Sequence, residues 1–205
     1  MTGVPTDFLG WALLLVVLPG LRWRLMNAAA QACLLLLLLV PLIVGGAALQ
    51  AGPLSILRGL FGGLSVSTVT LLAALTLQNM GNTVFAGREA KWLPPSIAAV
   101  ALPFYPTALG WGALDPYEWG HDEALALPLA VGALALAAWL AGWRASALAF
   151  VLALAGWRLR LLESTNLWDY LLDPLLAFTA LGMLAARGLR RVRRQGRAAR
   201  GDSRS

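Results

Sequence analysis

The stretch CLLLLLLVPLI, residues 33–43, decides the fold class of this chain. It shows no alternation of apolar and polar residues, which a β-barrel strand would require. Apolar runs in lipid form helices, because their backbone groups must pair within the segment. The 205 residues are 59% hydrophobic and 13% charged, whereas a soluble domain is about a quarter charged. We therefore predict an all-α, polytopic transmembrane helical bundle.

Other apolar segments recur at lengths near the roughly 17–25 residues that span a bilayer. The predicted crossings are residues 8–21, 27–50, 58–80, 96–113, 124–142, 145–162 and 167–186. The first segment is short, so the alternative is six crossings preceded by a re-entrant piece. Residues 1–186 are predicted to form one transmembrane domain, and residues 187–205 a basic, disordered cytoplasmic tail.

The basic residues predict an orientation, because cytoplasmic loops of membrane proteins carry excess Lys and Arg. Eight of the sixteen basic residues lie in the last nineteen positions. If that tail is cytoplasmic, the short cytoplasmic loops contain five more basic residues. The outer ends of the predicted crossings contain three. This predicts a multi-pass protein of a bacterial cell inner membrane, with a periplasmic N-terminus and a cytoplasmic C-terminus. The arginine cluster is predicted to contact anionic lipid headgroups and no nucleic acid.

The chain contains one cysteine, Cys33, and one histidine, His121. These counts exclude a thiolate or multi-histidine metal centre within one chain, although not a carboxylate-bound Mg²⁺ or Ca²⁺. Familiar catalytic motifs are also absent from the sequence. We therefore predict no cofactor and no resident metal, and the sequence favours a protein that is not an enzyme.

The most informative polar stretch is RLRLLESTNLWDYLLDP, residues 158–174. Asp169 and Asp173 are four residues apart and would share one helix face. An ionisable residue within a crossing marks a functional site. The alternative is that a helix begins near Asp173, which then caps it with Pro174 in the first turn. Glu163, Asp169, Asp173 and the loop residue His121 are the candidate catalytic groups.

Arginines on the same predicted side are candidates for binding an anionic substrate, because guanidinium groups pair with phosphate and carboxylate. The alternative is that they pair with the carboxylates as a structural clamp. The candidate substrate-binding residues are Arg58, Arg158, Arg160, Asp115 and Trp168.

We interpret the protein as a non-catalytic accessory subunit of a cell-envelope biogenesis or transport system, which presents an acidic outward face to a partner or an envelope substrate. Another membrane protein is the expected partner. One alternative is a membrane-embedded enzyme that acts on an anionic envelope lipid or lipid-linked glycan. Another is a small transporter or scramblase, with the hydroxyl-rich third crossing and the proline-containing fourth crossing along the pathway.

Overall fold

The computed structural model describes residues 63–79, 83–121 and 125–202; the side chains of Asn79 and of residues 196–202 lie outside the description. Within these ranges the secondary structure is helical and no strand is present. The helices are α1 Val66–Asn79, α2 Gly87–Ala108, α3 Ala126–Leu140, α4 Arg144–Arg158, α5 Trp168–Leu171 and α6 Pro174–Asp202. A 3-10 turn, Glu118–Gly120, lies between α2 and α3.

The predicted transmembrane bundle is wrong for the part of the chain that the structure describes. None of the helices in it is both long enough and apolar enough to cross a membrane. Helices α1, α3 and α4 contain 14, 15 and 15 residues, which at about 1.5 Å per residue is shorter than the roughly 30 Å hydrocarbon core. Helices α2 and α6 are longer, but α2 begins with the charged sequence GREAK and the second half of α6 is rich in arginine.

The same finding corrects the multi-pass inner-membrane localisation, its orientation and the membrane classification that we predicted from the sequence. The predicted crossings at residues 8–21 and 27–50, and residues 58–62 of the third, lie outside the described residues. The crossings predicted at 96–113, 124–142 and 145–162 correspond approximately to α2, α3 and α4.

The segment predicted as the seventh crossing is divided into α5 and α6. Leu172 is extended, with φ −141° and ψ 130°, and Pro174 is the first residue of α6. Proline is tolerated in the first turn of a helix. In a helix interior it has no N–H to donate to the residue four positions earlier, and it disfavours helical geometry in the residue before it. The break therefore lies immediately before Pro174.

Helix α4 is the centre of the packing, because it contacts both α1 and α3, while α2 packs against α6. Small residues on α4 let its neighbours approach closely: a Cβ on Gly156 would lie 3.2 Å from Val66 Cγ2 on α1. The core cluster is formed by Val131, Ala153, Trp157, Leu167 and Tyr170. These residues join α3 and α4 to the short helix α5, so the core supports the segment that carries the acidic candidates.

The first turn of α2 is tied to two other helices. The backbone N–H and hydroxyl of Ser146 on α4 both donate to Glu89 Oε1, at 2.7 and 2.8 Å. Arg187 of α6 donates to the carbonyls of Lys91 and Ala90, at 2.7 and 3.0 Å. These contacts place basic residues from α2, α4 and α6 at one end of the helices.

Candidate functional site

The opposite end of α2 leads into the acidic loop, which we define as residues 109–121. Its turn begins at Asp115, whose Oδ1 accepts a hydrogen bond of 3.0 Å from the backbone N–H of Tyr117. Asp before proline commonly begins such a turn, because its side chain bonds to the backbone two residues later. The 3-10 turn follows directly and ends at Gly120. The local sequence therefore explains the shape of the loop.

Contacts with the segment between α4 and α5 fix the position of the acidic loop. Asn166 Nδ2 donates to the carbonyl of Tyr117 at 2.7 Å, and Trp168 Nε1 donates to that of Pro116 at 2.8 Å. The backbone N–H of Leu167 donates to the Gly120 carbonyl at 2.8 Å. A Cβ at Gly120 would lie only 1.8 Å from Asn166 Oδ1, so this approach requires glycine.

A tyrosine–carboxylate pair joins the loop to α5. Tyr117 Oη donates to Asp169 Oδ2 at 3.0 Å, and the His121 ring lies edge-on to the Tyr117 ring with centroids 6.0 Å apart. The Trp168 ring packs against Phe104 at 4.5 Å. Burial raises the pKa of Tyr117, and the charge of Asp169 and its hydrogen bond raise it further.

Tyr105, one turn before the end of α2, lies close to both aspartates. Burial raises the pKa of Tyr105 above its ordinary value, followed by the negative charges of Asp173 and then Asp169. The raised pKa keeps the Tyr105 phenol protonated to a higher pH than that of an ordinary tyrosine. The aspartates and the two tyrosines form one acidic, aromatic region at this end of the helices.

Asp173 is a structural residue, as in the helix-cap alternative. Its Oδ1 accepts from the backbone N–H of Leu176 at 2.8 Å, which caps α6. Its Oδ2 accepts from the backbone N–H of Ser65 at 2.9 Å and from the hydroxyl of Thr68. Both carboxylate oxygens are thus engaged and the side chain is buried. Asp173 therefore connects α6 to the start of α1.

The predicted arginine site is only partly described. Arg58 lies outside the described residues. The Arg158 guanidinium lies 4.8 Å from the centroid of the Trp157 ring, and Arg160 adopts a left-handed backbone conformation with φ 52°. Both arginines and Glu163 are exposed. The structure brings together Asp115, Trp168, Asp169 and His121 around Tyr117, while Asp173 belongs to the α1–α6 junction.

The sequence analysis missed three residues that organise the site: Tyr105, Tyr117 and Asn166. The motif Asp115-Pro116-Tyr117 signals a turn and could have drawn attention to Tyr117. The role of Asn166 depends on partners 49 residues away, and no local pattern shows it. In residues 63–79, 83–121 and 125–202, no group of three or more His, Cys, Asp or Glu side chains is placed to hold a metal ion.

Basic residues dominate the other end of the molecule. Arg88 and Lys91 of α2 are exposed, as is Arg144 of α4, and the exposed arginines of α6 include Arg190, Arg191, Arg193 and Arg194. Contact between these arginines and anionic lipid headgroups stays a prediction. The 22 residues of α2 separate the basic end from the acidic loop by about 33 Å at 1.5 Å per residue.

Comparison of the chain with protein families, with curated proteins and with solved structures gives no match. In the described ranges the protein is all-helical, and hydrogen bonds hold its acidic, aromatic loop at one end of the helices.

Proposed function

We propose that the protein is a non-catalytic accessory subunit that presents the acidic loop to a basic surface of a partner protein. The observation that carries the proposal is the exposure of Trp111 and Trp119, at 77% and 54%, close in the loop to the exposed carboxylates Asp115 and Glu118. Grouped exposed apolar side chains mark interaction surfaces. Tryptophan is also among the residues that contribute most to binding energy at protein interfaces.

The fixed geometry of the acidic loop supports a role in binding. Hydrogen bonds from Asn166, Leu167 and Trp168 hold its backbone, and the hydroxyl of Tyr117 is bound to Asp169. A loop that is ordered before it meets a partner loses less conformational entropy on binding. The exposed tryptophans are therefore carried on a preorganised support.

The charge around the loop indicates the chemistry of the partner. The acidic loop carries two exposed carboxylates, Asp115 and Glu118, and no lysine or arginine. A surface with this excess of negative charge favours a basic partner, because complementary charge increases the association rate and disfavours acidic competitors. The partner surface is therefore rich in lysine or arginine, with apolar pockets for the tryptophan rings.

The same residues support binding better than catalysis. Asp173 uses both carboxylate oxygens in the α1–α6 junction, and Asp169 accepts the Tyr117 hydroxyl. Arg158 lies against Trp157. A membrane enzyme of the kind considered from the sequence would need these carboxylates and arginines to converge on a substrate. The enzyme and transporter alternatives gain no comparable observation from the described residues.

The test is to purify the tagged full-length chain with its partner from native cells and then to measure affinity with the purified partner. The double variant Asp115→Asn/Glu118→Gln removes two charges, and Asn at position 115 retains the ability to form the turn. We expect the double variant and Trp119→Ala each to weaken binding at least about tenfold. Added salt should weaken wild-type binding.

Glu163→Gln is the matched control, because Glu163 is an exposed carboxylate outside the acidic loop. It should change the affinity by less than about threefold, which is within the usual effect of a rim charge. Equal affinity of the wild type, the double variant and Trp119→Ala would contradict the proposal. So would turnover of a lipid or glycan substrate by the purified protein alone.

A further inference from the structure

The basic end of the molecule has the properties of the surface that we propose the acidic loop binds. We define the basic end as the starts of α2 and α4 together with the part of α6 that follows Ala186. Hydrogen bonds from Arg187 to α2, and from Ser146 of α4 to Glu89 of α2, bring these three helices together. The exposed cations among the described side chains of this end are Arg88, Lys91, Arg144, Arg190, Arg191, Arg193 and Arg194.

No exposed carboxylate balances these cations among the side chains that the structure describes at this end. Glu89 is the one acidic residue in α2 and α4, and residues 174–195 of α6 contain none. Glu89 is 0% exposed, and its Oε1 accepts from both the N–H and the hydroxyl of Ser146. The surface of the basic end therefore keeps an excess of positive charge, which favours an acidic partner surface.

An apolar groove of about 490 Å³ lies between α2, α3 and α4. Leu93 and Trp143 line it; Lys91 lies two residues before Leu93, and Arg144 follows Trp143 directly. Ser146, which links α4 to the start of α2, lines the groove as well. One part of the groove is thus flanked by the cations of the basic end. Apolar grooves with a few polar groups at the edge are suited to receive an aromatic side chain.

The acidic loop carries the complementary features. Asp115 and Glu118 are exposed carboxylates without a lysine or arginine in the loop, and Trp111 and Trp119 are exposed rings. An anionic lipid surface would satisfy the cations of the basic end, but it would not fill a groove that lies between helices. A loop that carries both carboxylates and tryptophans satisfies the cations and the groove together.

The acidic loop and the basic end cannot meet within one molecule. The 22 residues of α2 separate them by about 33 Å at 1.5 Å per residue. A contact between them therefore joins different surfaces of two copies. Each added copy leaves one acidic loop and one basic end free, so the assembly grows until it closes into a ring or continues as an open chain.

From these observations we infer that the partner of the acidic loop is the basic end of a second copy of this chain. Copies then associate head to tail, with Asp115 and Glu118 of one copy beside the cations of the next and Trp119 in its groove. The inference rests on the proposed function, because it names the partner of the same loop.

The experiment is sedimentation velocity of the full-length chain over a range of concentrations. We expect the average mass of the wild type to rise with concentration and to fall with added salt. The loop variant is Asp115→Asn/Glu118→Gln/Trp119→Ala, and the end variant is Arg88→Glu/Lys91→Glu. Each should weaken self-association at least about tenfold. Acidic residues are favoured in the first turn of a helix, so the end variant should retain α2.

An equimolar mixture of the loop variant and the end variant gives the most specific result. Each variant retains the surface that the other lacks. The mixture should therefore form a one-to-one dimer at concentrations where each variant alone is monomeric, and this dimer should add no third copy. Formation of the dimer also shows that both variants are folded. A mixture that stays monomeric, while the wild type associates, would overturn the head-to-tail arrangement.

Two controls address the charge and the groove separately. Arg158→Gln should change self-association by less than about threefold, because Arg158 is exposed at the opposite end of α4. Ala141→Trp places a ring where Ala141 lines the groove, and it should weaken self-association at least about tenfold. Ala133 is exposed on α3 and does not line the groove, so Ala133→Trp should have no effect. Equal self-association of these two tryptophan variants would overturn the placement of Trp119 in the groove.

The remaining outcomes separate this inference from the proposed function. A wild type that stays monomeric while its acidic loop binds a different basic protein overturns the inference alone. Equal affinity of the wild type and the loop variant, both for a second copy and for a native partner, contradicts the inference and the proposed function together. Vesicles of phosphatidylserine and phosphatidylcholine test the other occupant of the basic end. If they bind a monomeric wild type and not the end variant, the basic end binds lipid headgroups and the inference is overturned.

Discussion

Replacing Gly120 by alanine tests how the acidic loop is held. The new Cβ would lie 1.8 Å from Asn166 Oδ1 and 2.7 Å from Trp168 Cδ1, so the Asn166 side chain must leave its position. Two hydrogen bonds then break. One is donated by Asn166 Nδ2 to the Tyr117 carbonyl, at 2.7 Å, and the other by the backbone N–H of Trp168 to Asn166 Oδ1, at 2.9 Å. Asn166 is 1% exposed, so its displaced amide has no ready contact with water.

The expected decrease in the free energy of unfolding follows from these broken hydrogen bonds. Each hydrogen bond contributes about 1 kcal/mol, and a buried polar group left without a partner costs about 1–3 kcal/mol. We therefore expect Gly120→Ala to lower the free energy of unfolding by about 3–5 kcal/mol. The measurement is urea-induced unfolding followed by circular dichroism at equilibrium, with identical buffer for all variants.

Gly132→Ala is the matched control, because no heavy atom lies within 4 Å of a Cβ placed on Gly132 in α3. Alanine is a better helix former than glycine, so this variant should be neutral or more stable by up to about 1 kcal/mol. In an Asn166→Ala background, Gly120→Ala should cost less than in the wild type, although the contact with Trp168 remains. A loss below about 0.5 kcal/mol for Gly120→Ala, the size of an ordinary surface substitution, would refute the described packing of the loop.

Three further predictions concern the helix junctions and the tyrosines. Asp173→Ala should lower the free energy of unfolding by about 2–4 kcal/mol, because a helix cap and charge-assisted hydrogen bonds are lost. The control is Glu163→Gln, at an exposed position. Its free energy of unfolding should stay within about 0.5 kcal/mol of the wild type in the same urea titration. The pKa values of Tyr105 and Tyr117 are raised in the folded protein, so their contribution to stability is fully present below about pH 10 and is lost as the pH rises through the raised pKa. Unfolding curves from pH 8 to 12 should show this loss, and Tyr117→Phe should reduce it; a pH dependence identical to that of the wild type would contradict the role of Tyr117. Gly142 has φ 77° at the turn between α3 and α4, so Gly142→Ala should lower the thermal midpoint by an amount equivalent to about 1 kcal/mol, and an unchanged midpoint would show that the turn tolerates a side chain.

Several features of the candidate site could be predicted from local sequence. Asp115-Pro116 predicts a turn because of the Asp side chain and the fixed backbone of proline. The pairing of Asp173 with Pro174 predicts a helix start, and we considered this alternative beside the functional one. In the structure Asp173 does cap α6, and its second oxygen accepts from Ser65 and Thr68 at the start of α1.

Other features could not be predicted, because they depend on residues distant in the chain. Nothing in the local sequence singles out Glu89, yet it is fully buried and bound to Ser146, 57 residues later. Tyr117 and Asp169 are 52 residues apart. No spacing rule links such pairs, because their contact depends on how helices and loops that are distant in the chain are placed beside one another.

The sequence by itself determined the helical class of the described residues and the placement of basic and acidic residues in separate parts of the chain. Both properties depend on composition along short segments, which local physics controls. The sequence did not determine where the helices end. The transmembrane bundle that we inferred from the lengths of the apolar runs was wrong for the described part of the chain. Only the tertiary structure decided those ends and the partners of the carboxylates, because helix breaks, caps and buried hydrogen bonds depend on contacts between distant residues.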